Sequence, residues 1–191
     1  MLPDNELSST VIQAPFMGAR ALGVTKTVDY VDAGIALNDP SAGLFYQPWR
    51  ARLVGNDILV DAREVEEFVL YSDTGITEIS FTFDQNMRPV LAFVKAGQAY
   101  LRWYDTAVGD QVVTALASDV ITPRVSMDDK RSMKSSISDV ILAYVRSGSL
   151  YHRRQRDRFL TEYLLATDIA TGLIKIGMNR QFRFQFMLEP S

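Results

Sequence analysis

The chain contains no cysteine and only one histidine, His152. Without thiols, disulfides and thiolate chemistry are excluded, and cysteine usage leaves the compartment open. One imidazole cannot build a multi-histidine metal site within one chain. Long apolar runs are missing too: none approaches the roughly 20 residues that span a bilayer, so no membrane span is expected. The opening MLPDNELSST is acidic and polar, without the basic start and apolar stretch of a secretory signal. The formal net charge of -3 supplies no global field that marks a nucleic-acid or membrane binder. There is no glycine-rich phosphate loop, no H-E-x-x-H and no nucleophile motif. Every specific warrant for an enzyme is therefore missing, and the chain is expected to be non-enzymatic and to need no cofactor.

What is present is an ordinary globular balance. Of 191 residues, 47% are hydrophobic and 23% charged, enough for one domain with a core, or one domain plus an arm. Ten Phe, eight Tyr and two Trp, together with frequent β-branched residues, tilt the expectation toward strands.

The chain also repeats itself. VLAFVKAGQAYLRWYDT (90–106) aligns with ILAYVRSGSLYHRRQRD (141–157) without a gap at an offset of 51. Leu91, Ala92, Val94, Gly97, Tyr100 and Arg102 recur as Leu142, Ala143, Val145, Gly148, Tyr151 and Arg153. LYSD (70–73), LASD (116–119) and LATD (165–168) follow one another at spacings of 46 and 49, each before an apolar, strand-like stretch. Asp and Ser bend the backbone locally, so each such word ends one unit and turns into the next. The larger central offset is absorbed by the polar insertion KRSMKSSIS (130–138).

Within a unit the apolar residues alternate as in strands. AG (96–97) and SG (147–148) are expected as hairpin turns, where glycine takes a positive φ without penalty. The expected fold is all-β: repeated four-stranded antiparallel units of about 46–49 residues. Such units resemble propeller blades, with a three-fold β-prism or β-trefoil as the alternative.

The expected organisation is an extended N-terminal arm over 1–43 and a repeat domain over 44–191. That domain divides into a part-unit at 44–72, whole units at 73–118 and 119–167, and a part-unit at 168–191. The two part-units are complementary halves that would pair to seal a ring and protect edge strands. Three blades are fewer than the usual four to eight, so either the fold is three-fold or several chains share one ring.

Four arginines, Arg153, Arg154, Arg156 and Arg158, make the strongest local charge. On a strand, Arg154, Arg156 and Arg158 share one face while Arg153 takes the other. The default is a solvated or subunit-facing contact surface, with phosphate contact as its rival. A helix over RRQRDRFLTEYLLATD is the weaker local reading, because the repeat places a strand, a turn and a strand there. His152 aligns with Leu101, lacks a nucleophile beside it, and is expected to be structural. Asp128 and Asp129 lack the D-x-D-x-D-G spacing of a calcium loop and read as a solvated turn. Trp49 and Trp103 are the candidate aromatic surface for a carbohydrate; core packing is the commoner use of aromatics in β repeats.

FDQNMRPVLAFVKAGQAYLRWYD, SDVILAYVRSGSLYHRRQRDRF and the closing IKIGMNRQFRFQF, over about residues 70–188, resemble virion structural proteins of tailed bacteriophages. In those proteins propeller-like units of aspartate, apolar strand, turn and aromatic-bearing strand are common. The resemblance implies a non-enzymatic part of the tail, neck or tail-tip apparatus, located in the virion after assembly in the bacterial host cytoplasm. It implies a symmetric homo-oligomer contacting other virion proteins, and it carries over no functional residues. The alternatives are a receptor- or glycan-binding module using Trp49 and Trp103, and a nucleic-acid-contacting protein using the 153–158 arginines; nucleic acid is the disfavoured partner.

Overall fold

A computed structural model describes residues 30–37, 46–62, 65–86, 88–128, 138–178 and 183–189. The described chain is all-β. Strands β1 (Tyr30–Leu37), β2 (Tyr46–Val54), β3 (Asp57–Ala62) and β4 (Val65–Ser72) form the first antiparallel sheet in chain order. Strands β5 (Ile76–Phe83), β6 (Pro89–Lys95), β7 (Gln98–Asp105) and β8 (Asp110–Ala115) form the second. Strands β9 (Val120–Met127), β10 (Val140–Arg146), β11 (Ser149–Arg154) and β12 (Tyr163–Ala166) form the third. A two-stranded sheet of β13 (Leu173–Met178) and β14 (Phe184–Leu188) ends the series. No sheet closes into a barrel among the described residues, and no helix among them is long and apolar enough to cross a membrane.

The hairpin words behave as their composition dictates. Ala96 and Gly97 have φ of 49° and 78°, and Ser147 and Gly148 have 47° and 69°. Two successive left-handed residues make the two-residue turn whose twist matches the flanking strands. Register follows: Lys95 pairs with Gln98 and Arg146 with Ser149, and both hairpins then run without a bulge. Alternation along β7 buries Ala99, Leu101, Trp103 and Asp105 and leaves the residues between them partly exposed.

Successive sheets pack face to face, and each interface has its own core. Trp49, Ala51, Ile58 and Val60 of the first sheet meet Ile79, Phe81, Leu91 and Phe93 of the second. Val90, Ala92, Leu101 and Trp103 of the second meet Val140, Leu142, Tyr144 and Phe159 of the third. Ile141, Ala143, Val145 and Leu150 of the third meet Leu173, Ile176 and Leu188 of the fourth. At one side of this stack the first strands of neighbouring sheets touch: β1 on β5, β5 on β9, β9 on β13.

Those first strands are sheet edges, so their outward backbone groups need partners from elsewhere. The preceding sheet supplies them. Ser80 Oγ accepts the Val125 N–H at 3.0 Å, and Thr122 Oγ1 accepts the Leu173 N–H at 2.8 Å. Arg124 adds a charged clamp. Its Nε donates to the Ile174 carbonyl at 2.7 Å, and its Nη1 lies 2.5 Å from Glu78 Oε1, joining β9 to both neighbours. Arg124 is only 1% exposed. A bulge that sets Thr122 and Pro123 opposite Tyr144 precedes it, and Thr122 holds a φ of 49°, a strained value for a β-branched residue.

The N-terminal boundaries differ from those expected. Residues 30–37, expected within the arm, form β1 and pair with β2, so the expected part-unit at 44–72 is a complete four-stranded sheet. Among the described residues the two ends of the repeat do not pair: β13 and β14 form their own sheet. A neighbouring strand closes a short loop, whereas the far end of the chain would close one of most of its length at greater entropic cost. The rest of the expected arm, 1–29 and 38–43, and most of the polar insertion, 130–137, lie outside the described residues.

Candidate functional site: the cleft between the second and third sheets

Three strand ends meet at one end of the second interface, around a cleft of about 470 Å³. Each is closed by an aspartate. Asp84 follows β5 and accepts the backbone N–H groups of Asn86 and Arg88 at 2.8 and 2.9 Å. Asp105 ends β7 and accepts the Ala107 N–H at 2.9 Å. Asp139 precedes β10, and its own N–H donates to Asp128 Oδ1 at 2.7 Å. A short carboxylate that bonds the backbone one to four residues on is the usual device for a tight turn. Asp128 was expected as a solvated turn; it is instead a buried one, because its carboxylate is occupied by Asp139. Asp129 lies outside the described residues.

The third sheet answers these acids with its arginines. β11 stops at Arg154, and Gln155–Asp157 turn in a short 3-10 segment. Arg158 and Phe159 then take left-handed φ of 54° and 55°. Arg158 donates from Nε to Asp105 Oδ1 at 3.2 Å and from Nη2 to Oδ2 at 2.6 Å, a two-pronged bridge from the third sheet to the second. Arg156 donates its backbone N–H and its Nε to Asp139 at 3.0 and 2.5 Å. Gln155 Nε2 reaches Asp84 Oδ2 at 3.3 Å, and the Arg88 guanidinium sits 3.9 Å over the Tyr104 ring. The bond from Arg158 holds the Asp105 carboxyl below its ordinary range, and the reciprocal bonds push Arg158 and Arg156 up.

The shared arginine face expected on a strand is thus not formed. Arg153 and Arg154 take opposite faces of β11, and the turn that follows takes Arg156 and Arg158 off the strand. Arg153 points toward the second sheet, donating to Tyr144 Oη at 2.7 Å and to the Phe159 carbonyl at 3.1 Å. Arg154 points the other way, its Nε 3.2 Å from His152 Nε2 and its guanidinium over the Tyr163 ring. Arg156 and Arg158 line the cleft. Each of the four already holds a partner within the chain, the opposite of a row of free cations awaiting phosphates.

Neither tryptophan forms an exposed shelf. Trp49 is 8% exposed and meets Phe83 edge-on at 5.0 Å in the first core. Trp103 is 5% exposed and meets Phe159 edge-on at 5.1 Å in the second, with its margin on the cleft. The two sit in different interfaces and do not form one surface.

His152 lies on the opposite face of the third sheet, turned toward the fourth. It is 8% exposed and stacks on Tyr163 at 4.9 Å. Burial lowers its pKa, and the Arg154 charge lowers it further against weaker opposition from Asp139 and Asp157. A group depressed in the folded state contributes stability above its unfolded value, and that stability is lost as pH falls through the window below it. The parent protein is therefore expected to lose stability as pH drops below 6.5, the ordinary histidine value. His152→Leu, which installs the residue found at the sister position Leu101, should flatten that part of the profile in denaturant melts run at successive pH values. An unchanged slope in the variant would assign the effect elsewhere.

Sequence reasoning did not single out Asp105, Asp139, Arg88 or Arg124. Asp105 and Asp139 carried a faint signal, since both punctuate strand ends. Arg124 carried none, because the corresponding residue of β5 is Ser80. Chemically, the cleft joins two sheets through paired charges. Among the described residues no group of three His, Cys, Asp or Glu side chains is arranged to hold a metal. Compared with known proteins, the chain matches no protein-family model, no curated protein and no solved structure.

Proposed function

We propose that this chain is a non-enzymatic scaffold of a tailed-phage virion, part of the tail, neck or tail-tip assembly, whose sheets act as propeller-like blades in a ring shared by several copies. The observation that carries the reading is the series itself. Up-and-down sheets stack face to face with their first strands side by side, and among the described residues the last of them has two strands. A blade series has this order, whereas a β-prism or trefoil would relate its units about a three-fold axis. A series that presents different surfaces at its two ends assembles head to tail, and such contacts close into rings when the rotation allows.

The first sheet's outer face supports the same reading. Arg50 bridges Asp61 at 2.9 and 3.1 Å, and Arg52 bridges Glu67 at 2.7 Å through both prongs. Pre-paired charges keep an end face soluble before assembly, as capping repeats do in other arrays. Light scattering at tens of micromolar is expected to report a multiple of the protomer mass. A stable monomer that also binds no purified virion protein would overturn the proposal.

A further inference from the structure

We propose that the outer groove between the first and second sheets docks an extended, acidic segment of a partner protein, whose carboxylate takes Arg102. Such a site serves a scaffold, yet it forms within one copy and so does not depend on ring closure.

The repeat supplies an internal control. Arg102 and Arg153 hold the same place in β7 and β11, each on the face turned to the preceding sheet. Arg153 is fully answered. It donates to Tyr144 Oη at 2.7 Å and to the Phe159 carbonyl at 3.1 Å, and Glu162 lies 3.5 Å away. Around Arg102 two of those acceptors are replaced. Phe93 stands in the place of Tyr144, and Val113 lies directly across from Arg102, where the register of the third sheet brings Glu162. The guanidinium is kept while these acceptors are lost. Among the described residues no carboxylate bridges it, and its Nη1 is buried without a hydrogen-bond partner. Burial pulls its pKa down, Asp110 opposes this only from a distance, and the Tyr71 ring lies 5.6 Å away. A buried charged donor in this state costs free energy that a bound acceptor recovers.

The same face carries the rest of the groove. Gln111, opposite Tyr104, has a buried Oε1 that also finds no hydrogen-bond partner among the described residues. Val113 is 48% exposed, and Phe68 of β4, opposite the core residue Val60, is 43% exposed. Both belong to the faces that the two sheets turn toward each other, so their exposure means that the sheets part toward their last strands. Between the second and third sheets the corresponding place is closed from within, by the bonds among Tyr144, Arg146, Arg153 and Glu162.

A charged donor, a neutral acceptor and two apolar flanks together fit an acidic side chain on an extended backbone. The carboxylate meets Arg102, a main-chain N–H meets Gln111, and apolar neighbours cover Phe68 and Val113. β8 is the last strand of its sheet, so its outer edge, with no strand beside it among the described residues, offers main-chain groups to an added strand. A phosphodiester would meet Arg102 but bring no donor to Gln111 and no cover to the apolar flanks.

The probe is the fluorescent heptapeptide SVTEVTS, followed by anisotropy on the full chain, with versions carrying glutamine or lysine at the centre. The glutamate peptide is expected to bind at least about tenfold more tightly than the glutamine one, the ratio for one charge-assisted bond, and the lysine one more weakly still. Val113→Glu, at an exposed position, gives Arg102 the acid that Arg153 already has. It should raise the melting temperature and abolish the preference for glutamate. Arg102→Met should abolish the preference as well, and if that variant fails to fold, Val113→Glu decides alone. Equal binding of the glutamate and glutamine peptides, no binding of either at about 1 mM, or a preference that survives Val113→Glu overturns the proposal. Light scattering reads the oligomeric state separately, so the groove and the ring reading can fall independently.

Discussion

Arg124→Ala is expected to destabilise the protein by about 3–5 kcal/mol, the range for removing one partner of a buried ion pair. For a chain of this size that lowers the melting temperature by roughly 10 °C. The effect has two parts. Glu78 loses its cation and is left half-satisfied near the inner strands, and the Ile174 carbonyl loses its donor. Both losses fall where three sheets meet, so the second, third and fourth sheets should loosen together rather than one at a time. Arg124→Met should cost less, because an apolar replacement of similar length avoids stranding a cavity, and Arg124→Met with Glu78→Gln should recover part of the loss. Calorimetry of the four proteins checks this; a shift of less than about 1 kcal/mol for Arg124→Ala would show the clamp to be incidental.

The tryptophans carry the second large expectation. Trp103→Ala and Trp49→Ala should each cost about 3–5 kcal/mol, as for large aromatics removed from packed cores. They serve different interfaces, Trp49 between β2 and the second sheet, Trp103 between β7 and Phe159. Their effects should therefore add to within a few tenths of a kcal/mol in urea melts. Substitution of an exposed sugar-binding shelf would instead leave the urea midpoint nearly unchanged. An unaltered midpoint in either variant would contradict the core placement.

The repeat was legible because its causes are local. Alternation along a strand, the Ala96-Gly97 and Ser147-Gly148 turns, and the aspartates that end units all act over a few residues. The same words make the same contacts in both copies. Asp73 bridges Lys95 at 2.7 Å and Asp119 lies 3.6 Å from Arg146, while Phe93 stacks on Tyr100 as Tyr144 does on Tyr151. The departures between copies were visible in the sequence, but their meaning was not. His152 and Arg154 replace Leu101 and Trp103 on the face turned to a sheet with only two described strands, and that neighbour is not visible from alignment alone.

The arginine stripe was misread for a related reason. Strand alternation holds only while the strand lasts, and the 3-10 turn after Arg154 changes the direction of every later side chain. No local rule foretells that turn, since Arg158 takes its place partly because Asp105, on another sheet, is there to receive it.

By itself, then, the sequence determined the all-β character, the hairpin turns and the repeat, since each depends on near neighbours in the chain. Only the tertiary structure decided that Trp49 and Trp103 are core, that the arginines are partnered, and that Arg124 clamps three sheets. Those outcomes depend on which side chains meet across faces dozens of residues apart, where the pairing of buried charge and the filling of space leave few alternatives.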